Sequence, residues 1–348
     1  MNRKTSLSVV GLLAALAIGA PTVQAAQGQA KKEEPPSSAK PVGKPADMTK
    51  PVKVFILLGQ SNMLGAGKIL GGEGSLENAV KNKKKYPYLV DDEGKWAVCA
   101  DVRNVRVMCS GSGPWKMYQN EWMTVSGKNI GPELGIGHAL GNAIDAPVLI
   151  LKSCIGNRAL SWDLLPPGAE GYAGHPNPPR KPKDVKEWYA GVQYDGDVRA
   201  AQDVLAALNT YYPGAKQFEV AGFFFWQGEK DCGNPAWANR YEKNLVQFIK
   251  ALRQDFNSPN AKFVLATLGE AQKGAGGNAG KVLEGHLAVD GNTGKYPEFK
   301  GNVATVYSNP LSKGGSGNGH YGGNAETYMN VGEAMGKAMA ELLGKQAH

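Results

Sequence analysis

"VKVFILLGQSNMLGAG" (residues 52–67) is an apolar run that stops at a polar turn. Six of its first seven residues are apolar, and the run ends at Gly59-Gln60-Ser61-Asn62. A short apolar run bounded by turn residues indicates a strand buried on both faces. The serine that follows is either an ordinary turn residue or a nucleophile at the carboxyl end of a strand. The rest of the chain must decide between these interpretations.

Four more segments have the composition of buried strands, and helical patterns separate them. The strand segments are residues 146–152, 219–226, 262–268 and 302–308, and the helical segments are residues 131–144, 195–212, 237–256 and 325–344. Strands that alternate with helices predict a mostly parallel sheet covered on both faces. We therefore expect an α/β chain with a three-layer α/β/α, flavodoxin-like fold, whose ligand crevice lies at the carboxyl ends of the strands.

The first 50 residues have the composition of export and linker segments. Residues 1–25 combine a basic start, an apolar middle and a small-x-small ending, which is typical of a secretory signal peptide. Residues 26–50 are rich in Lys, Pro and Ser and predict a disordered linker. Residues 51–348 then form one domain. The protein is expected to be secreted or periplasmic.

The formal net charge of +8 is partly located outside this domain. The densest basic run, "KNKKKYPY" (81–88), predicts a solvated surface loop, with weak attraction to acidic glycans as the alternative. We therefore expect no nucleic-acid partner and, after signal cleavage, no membrane partner. The sequence leaves the oligomeric state open.

The four cysteines are consistent with an oxidising compartment. Cys99 and Cys109 flank residues 100–108, whose polar centre could turn a hairpin and allow a local bridge. Cys154 and Cys232 each follow a predicted strand and could meet at adjacent strand ends. Four cysteines allow three pairings, and the sequence does not choose among them. No C-x-x-C spacing indicates a metal site.

Polar clusters follow the predicted strands, at positions that converge on one edge of a parallel sheet. Ser61 follows the first strand, residues 153–157 the second, and residues 227–231 the third. Acyl transfer needs a nucleophile, a base and donors for the oxyanion. Ser61 is the candidate nucleophile, its helix start offers backbone N–H groups, and Gly156 and the Gln227 amide are candidate oxyanion donors. Each residue taken alone also has an ordinary structural role, as a cap, a turn or a buried amide.

The base must be one of five histidines. His320 follows the last strand in a Gly-rich loop and is the candidate. His138 and His286 lie in helix-like segments, where a core or surface role is expected. His175 lies in a long Pro-rich loop, and His348 is terminal.

That long loop, residues 161–189, contains the aromatic residues Trp162, Tyr172 and Trp188. Loops of this length in a compact domain are usually functional or disordered. Because three large aromatic side chains are costly to expose, we expect the loop to face the substrate.

Four blocks resemble the SGNH/GDSL hydrolase superfamily, and within it the sialate O-acetylesterase-like branch, or carbohydrate esterase family six. They are "FILLGQSNMLG", "GPELGIGHALG", "WQGEKD" and "HYGGNAETYMNVGEAMGKAM". The resemblance runs from about Val52 to the last helix. It implies a three-layer fold that removes O-acetyl groups from sugars without a metal or cofactor. It also implies Ser61 as nucleophile, the Ser61 N–H, Gly156 and Gln227 as oxyanion donors, and His320 as base.

The sequence departs from the superfamily where an aspartate usually precedes the catalytic histidine by three residues. That position is Gly317. Either another carboxylate orients His320, or the site is a Ser–His dyad. Glu229 and Asp231 are the candidates, with Glu229 preferred because related sequences keep an acid in the WQGE block. Asp231 could instead hold a loop by accepting backbone N–H bonds.

Further candidates are expected to bind substrate. Gln60 and Asn62 flank the nucleophile. Asn157 stands where relatives often have a second glycine, and it narrows the site or binds substrate. Arg158 binds a sugar hydroxyl or carboxylate, or pairs with a surface acid.

The sequence thus predicts a secreted serine esterase that deacetylates a carbohydrate through an acetyl-enzyme. A non-catalytic glycan-binding module is the alternative, motivated by Gly317. A third interpretation is an acyl-hydrolase of lipids or of an acylated cell-wall polymer. The sequence does not identify the sugar, which could be a sialic acid or an acetylated polysaccharide.

Overall fold

The structure is a computed structural model, and it describes residues 41–42, 46–109, 114–174, 188–293 and 295–344. The predicted signal peptide and most of the predicted linker lie outside these residues. The strands are β1 (Pro41–Val42), β2 (Val52–Gly59), β3 (Gly67–Lys68), β4 (Val98–Met108), β5 (Lys116–Met123), β6 (Asn129–Ile130), β7 (Val148–Lys152), β8 (Phe218–Trp226), β9 (Lys262–Ala266) and β10 (Val303–Val306). The helices are α1 (Ser61–Leu64), α2 (Glu133–Ala143), α3 (Val192–Ala206), α4 (Leu208–Tyr211), α5 (Glu229–Cys232), α6 (Pro235–Asp255), α7 (Gly277–Ala288) and α8 (Ala325–Leu342). Short 3₁₀ or π turns span Asn78–Asn82, Pro87–Leu89, Pro297–Phe299, Asn309–Leu311 and His320–Gly323.

The central sheet has eight strands and is mostly parallel. Seven strands pair in the order β1-β4-β7-β2-β8-β9-β10, all in parallel, and β5 adds to β4 in antiparallel orientation. β3 and β6 form a separate two-stranded sheet. β1 belongs to the segment predicted as a linker, so two residues of that segment form a strand. The five strands predicted from apolar runs are consecutive neighbours in the sheet, as β7, β2, β8, β9 and the edge strand β10.

Helices cover both faces of the sheet, which confirms the predicted three-layer α/β/α fold. Side chains alternate along β2, so that Val54 and Ile56 pack with α3, α6 and α7, while Phe55 and Leu57 pack with α2 and α8. From Val54 to Leu58 the strand is apolar on both sides because every second residue faces one of the two helical layers. No helix in the described part of the chain is long and apolar enough to cross a lipid bilayer.

The hairpin predicted between Cys99 and Cys109 is wrong. This region is the single strand β4, whose polar centre is buried: the Arg103 guanidinium stacks on Trp122 of β5 and its Nε donates to the carbonyl of Tyr211. At about 3.3 Å per residue, the two cysteines lie roughly 30 Å apart along the strand. They cannot bridge, and Cys154 and Cys232 are free as well.

Two further predictions need correction. The helix predicted over residues 195–212 breaks at Ala207 into α3 and α4. The lysine-rich run is not a wholly solvated loop, because Lys83 and Lys85 pair with the carboxylate of Glu326, which is almost fully buried at the start of α8. Residues 78–82 of the same region form a π-helical turn.

Candidate active site

Ser61 stands at the carboxyl edge of the sheet because β2 ends in a glycine. Gly59 has a φ of +148°, and a Cβ there would lie 2.4 Å from the carbonyl oxygen of Trp226 on the neighbouring strand. Only glycine avoids that contact and adopts that backbone without strain. Gln60 then continues in an extended conformation, and Ser61 is the first residue of α1.

The serine opens into a cavity of about 790 Å³ at the carboxyl ends of the central strands. The residues that line it are Gln60, Ser61, Gly156, Asn157, Glu229, Lys230, Cys232, Gly233, Asn234, Trp237, Asn318 and His320. They come from the segments after β2, β7, β8 and β10. The structure therefore brings together most of the residues that the sequence selected, including Ser61 and His320.

Gly156 lies directly beside Ser61. A Cβ on Gly156 would lie 3.3 Å from the Cβ of Ser61, which is closer than most contacts of a Cβ atom, so a residue without a side chain fits best at this position. Asn157 follows with a φ of +59°, a left-handed conformation that asparagine tolerates better than most residues. Both residues line the cavity, as do Glu229, Lys230 and Cys232 of α5.

Substitution of Gly156 by alanine is expected to lower kcat/KM about 10- to 100-fold while leaving the melting temperature nearly unchanged. The added methyl group would crowd Ser61, and small displacements of reacting groups cost about this much in rate. Steady-state hydrolysis of 4-nitrophenyl acetate measures the effect. Gly72→Ala is the matched control, because nothing lies within 4 Å of its added Cβ. Equal activity of the two variants would contradict a role for Gly156 beside the nucleophile.

Gln227 is not placed as an oxyanion donor. Its side chain is fully buried, and its amide NH₂ donates to the carbonyl of Arg158 (2.8 Å) and to Asp231 Oδ2 (2.7 Å). Its Oε1 accepts from the Tyr241 hydroxyl at 2.9 Å. Gln227 is not among the described residues that line the cavity. Its amide instead connects, by hydrogen bonds, the segments that contain Arg158, Asp231 and Tyr241.

Gln60 presents the amide that Gln227 does not. Its Oε1 accepts from Gln227 Nε2 at 3.2 Å, and from the N–H groups of Gly228 and Lys230 at 3.4 Å each. Its own NH₂ group donates to no side chain or carbonyl in the described residues, and Gln60 lines the cavity. The free donor therefore lies next to Ser61.

Asp231 holds a loop, which was one of the two roles considered for it. Its oxygens accept from the backbone N–H groups of Leu160 (2.8 Å) and Ser161 (2.9 Å), as well as from Gln227. Burial raises the pKa of Asp231, and these hydrogen bonds oppose that rise. With its carboxylate engaged in this way, Asp231 is not available to orient His320.

Glu229 is the carboxylate that reaches the cavity. It is almost fully buried, its Oε1 accepts from Asn62 Nδ2 at 2.6 Å, and its buried Oε2 has no hydrogen-bond partner in the described structure. Burial and, after it, the nearby charge of Glu270 raise its pKa to about 7, and the Asn62 hydrogen bond opposes that rise. Asn62 also donates to the carbonyl of Gly317 at 3.2 Å, so it links Glu229 to the turn that contains His320. Asn62 was predicted to bind substrate, but it is not among the described residues that line the cavity.

His320 begins a short 3₁₀ turn and lines the same cavity as Ser61. His138 is buried in α2 beside Cys99, and His286 is buried in α7, where its Nε2 lies 2.9 Å from the Tyr241 hydroxyl. Both are core histidines, as expected. His175 and His348 lie outside the described residues.

The described part of the long loop, which was expected to face the substrate, does not line the cavity. Residues 175–187 are outside the described part. In the rest, Tyr172 donates to Asp195 and Trp188 donates to Asp163 at 2.8 Å, and neither these rings nor Trp162 line the cavity. Arg158 stacks on the Trp188 ring, with its Nε 3.4 Å from Gln193 Oε1 and its side chain largely buried. It packs within the fold and does not line the cavity.

Sequence reasoning missed several residues of the cavity wall, namely Lys230, Asn234, Trp237 and Asn318. Lys230 lies inside the quoted WQGEKD block, and Asn318 lies two residues before His320, so their proximity in the sequence to predicted site residues could have identified both. Trp237 was assigned only to an amphipathic helix. Its cavity-facing position follows from Asn234, whose side chain caps α6 through the N–H groups of Ala236 and Trp237. The described residues contain no group of three His, Cys, Asp or Glu side chains arranged to hold a metal ion.

Comparison with known families decides the identity of the fold and its chemistry. A family profile described as carbohydrate esterase, sialic acid-specific acetylesterase, matches residues 51–341. The chain belongs to this family. The match covers every strand from β2 to β10 and all segments that line the cavity, so the protein is a carbohydrate esterase.

Several solved structures are similar to this carbohydrate esterase at low sequence identity. A structure described as a novel carbohydrate acetylesterase from Xanthomonas citri is 14% identical with a TM-score of 0.52, over 83% of this chain and 56% of its own. A protein of Arabidopsis thaliana is 18% identical (TM-score 0.49; 84% and 99% covered), and NanS is 14% identical (TM-score 0.45; 76% and 79% covered). None of the curated proteins matches the chain. The fold likeness rests on the Xanthomonas structure.

Proposed function

We propose that this carbohydrate esterase removes O-acetyl groups from its substrate through a Ser61–His320 centre and an acetyl-enzyme intermediate. The observation that supports the proposal most is that Ser61 and His320, 259 positions apart in the sequence, line one cavity together with Gly156 and Glu229. A nucleophile, a base and a carboxylate in one cavity are the groups that acyl transfer needs.

The proposed reaction has two steps. Ser61 Oγ attacks the acetyl carbonyl while His320 takes the hydroxyl proton, and the tetrahedral intermediate collapses when His320 returns that proton to the sugar oxygen. Water, deprotonated by His320, then attacks the acetyl-enzyme, and acetate leaves as Ser61 recovers its proton. The oxyanion is held by the backbone N–H groups of Ser61 and Gly156. The Gln60 amide takes the place first assigned to Gln227.

Glu229 is proposed to orient His320 and to stabilise its imidazolium. Its Oε2 is buried without a partner in the described residues, and its Oε1 is connected through Asn62 to the carbonyl of Gly317 in the histidine turn. A buried acceptor without a donor is costly, so an imidazolium N–H is the partner that this atom lacks.

The cavity wall suits a carbohydrate. The amides of Gln60, Asn157, Asn234 and Asn318 can bond hydroxyl groups, and the Trp237 ring can stack on a sugar face. Lys230 adds a cation that makes no ion pair with the described residues, so it could pair with a sugar carboxylate. The family description names sialic acid, which is one such sugar.

The proposal is tested by trapping the intermediate. Wild-type protein mixed with 4-nitrophenyl acetate and quenched in acid should carry one acetyl group on the peptide that contains Ser61, as measured by mass spectrometry. A series of nitrophenyl esters should show a sharp preference for acetate over longer chains. Acetylated xylan and O-acetylated sialic acid, compared for acetate release, then distinguish a neutral from an acidic sugar. Efficient hydrolysis of long-chain esters would favour a lipid-directed acyl-hydrolase instead.

The second candidate is a glycan-binding module that has lost catalysis, and it is motivated by Gly317. It predicts binding of the acetylated polysaccharide with no acetate release and no acetyl group on Ser61, even at high protein concentration. We also propose that the protein is exported, on the basis of the signal-like composition of residues 1–25.

A further inference from the structure

Position 317 has no room for a side chain. A Cβ on Gly317 would lie 2.4 Å from Glu229 Oε1 and 2.8 Å from Glu270 Oε2. Both distances start at the same point, so the two carboxylate oxygens are at most 5.2 Å apart. The place where the resemblance leads one to expect an aspartate is therefore filled by two carboxylates from other parts of the chain.

Glu270 is hydrogen-bonded to the turn that contains His320. Its Oε2 accepts from the backbone N–H of Gly317 at 3.0 Å. The preceding residue, Gly269, donates its N–H to the Tyr321 hydroxyl at 3.2 Å, so the segment after β9 holds the turn on both sides of His320. His320 and Tyr321 both have a φ of +52°, a conformation that persists only when surrounding contacts fix it.

We propose that Glu270 is a positioning residue of this esterase. Together with Glu229 it takes the place of the aspartate that is absent at position 317, by anchoring the His320 turn and by setting its negative charge beside Glu229. The proposal rests on the proposed Ser61–His320 function. It assigns a role to the end of β9, the one of the five predicted strands to whose end the sequence assigned no chemistry.

Several charged and titratable groups act on Glu229, and the test must separate them. The groups that interact with Glu229 from its own helix and from the elements around it are Asp231, Cys232, Tyr241, Glu270, Tyr321 and Tyr328. His320 and Lys230 share its cavity. Of these, Glu270 is the exposed carboxylate, and it is the strongest charge that disfavours ionised Glu229.

The kinetic test compares Glu270→Gln with Glu270→Ala. The glutamine can still accept from Gly317 N–H but carries no charge, so its plateau kcat should stay within about threefold of wild type. Ionised Glu229 then persists to lower pH, and the acid limb of kcat/KM should shift downward, with about threefold higher activity at pH 5 relative to the plateau. The alanine also loses the anchor, so kcat should fall about tenfold with little change in KM. Glu284→Gln, an exposed carboxylate on α7, is the control.

A second measurement does not depend on activity. The raised pKa of Glu229 means that folding stability is fully present below pH 4.5 and is lost as the pH rises towards about 7. Glu270→Gln should reduce that loss, so its melting temperature relative to wild type should rise between pH 4.5 and pH 8. In a Glu229→Gln background it should have no such effect.

The outcomes separate the two proposals. An inactive wild type would overturn the esterase mechanism, and the melting curves would still test the pairing of Glu270 with Glu229. Superimposable pH profiles and melting curves for wild type and Glu270→Gln would overturn the role of Glu270, whatever the activity. An active Glu270→Ala enzyme with unchanged kcat would overturn the anchoring role.

Discussion

Replacement of Ser61 by alanine is expected to lower kcat/KM for acetyl esters by about 10⁴-fold or more. The variant keeps the backbone N–H and the α1 turn but lacks the oxygen that forms the acetyl-enzyme, and comparable substitutions in serine hydrolases remove most catalysis. Ser61 lines the open cavity and its side chain fills no core space, so folding should be unaffected. Acetate release from 4-nitrophenyl acetate and from an acetylated polysaccharide provides the measurement.

The design includes two controls. Ser258→Ala removes a hydroxyl that bonds only its own loop, through the carbonyl of Phe256, and should retain full activity. The double variant Ser61→Ala/His320→Ala should be little worse than either single variant, because groups that act as one unit are strongly non-additive. If Ser61→Ala kept turnover within tenfold of wild type, the serine mechanism would be untenable.

Glu229→Gln is expected to lower kcat by about 10² to 10⁴-fold, whereas Asp231→Asn should have a much smaller direct effect on the chemical step. A glutamine at position 229 has no negative charge with which to stabilise an imidazolium, and only one of its two terminal atoms can accept a hydrogen bond. The equivalent change in a serine protease triad has an effect of about this size. Asp231→Asn instead weakens the bonds to the N–H groups of Leu160 and Ser161, which should cost about 1–3 kcal/mol of stability. Parallel kinetics and thermal unfolding of the two variants measure both effects.

The two variants should therefore move in opposite directions in stability. Burial and Glu270 hold the pKa of Glu229 at about 7 in the folded protein, so folding stability is lost as the pH rises from about 4.5 towards 7. Glu229→Gln should therefore gain up to about 3 kcal/mol at pH 8 but nothing at pH 4. A less active yet more stable Glu229→Gln would be the signature of a carboxylate kept for function. If Asp231→Asn lost as much kcat as Glu229→Gln without unfolding, the assignment of the two carboxylates would have to be reversed.

Much of the fold was predictable because its signals are local. The runs at 52–58 and 219–226 are apolar at every position that a two-sided sheet buries, and the structure places them side by side as β2 and β8. β4 was misread because Arg103 and Asn104 resemble turn residues. Trp122 and the Tyr211 carbonyl come close to Arg103 only in the folded protein, where they provide the ring contact and the hydrogen bond that compensate for burying its guanidinium in a strand.

The location of the candidate site was also predictable, but the direction of several of its side chains was not. Ser61, Gly156, Glu229 and His320 each follow a strand, and parallel strands bring their carboxyl ends to one edge, so convergence on one cavity follows from chain order alone. The direction in which a buried amide or carboxylate points depends instead on its neighbours. Gln227 and Gln60 are both glutamines at that edge, yet the NH₂ group of Gln227 donates to Asp231, whereas that of Gln60 donates to no side chain or carbonyl in the described residues.

The sequence by itself thus determined the three-layer fold, the edge of the sheet where the cavity lies, and the serine and histidine that line it. Only the tertiary structure decided which carboxylate reaches that cavity. Asp231 turns to two backbone N–H groups, while Glu229 and Glu270 fill the space at Gly317. The physical reason is that strand order is encoded in local hydrophobic patterns, whereas the partner of a buried charge is chosen by packing between segments far apart in the chain.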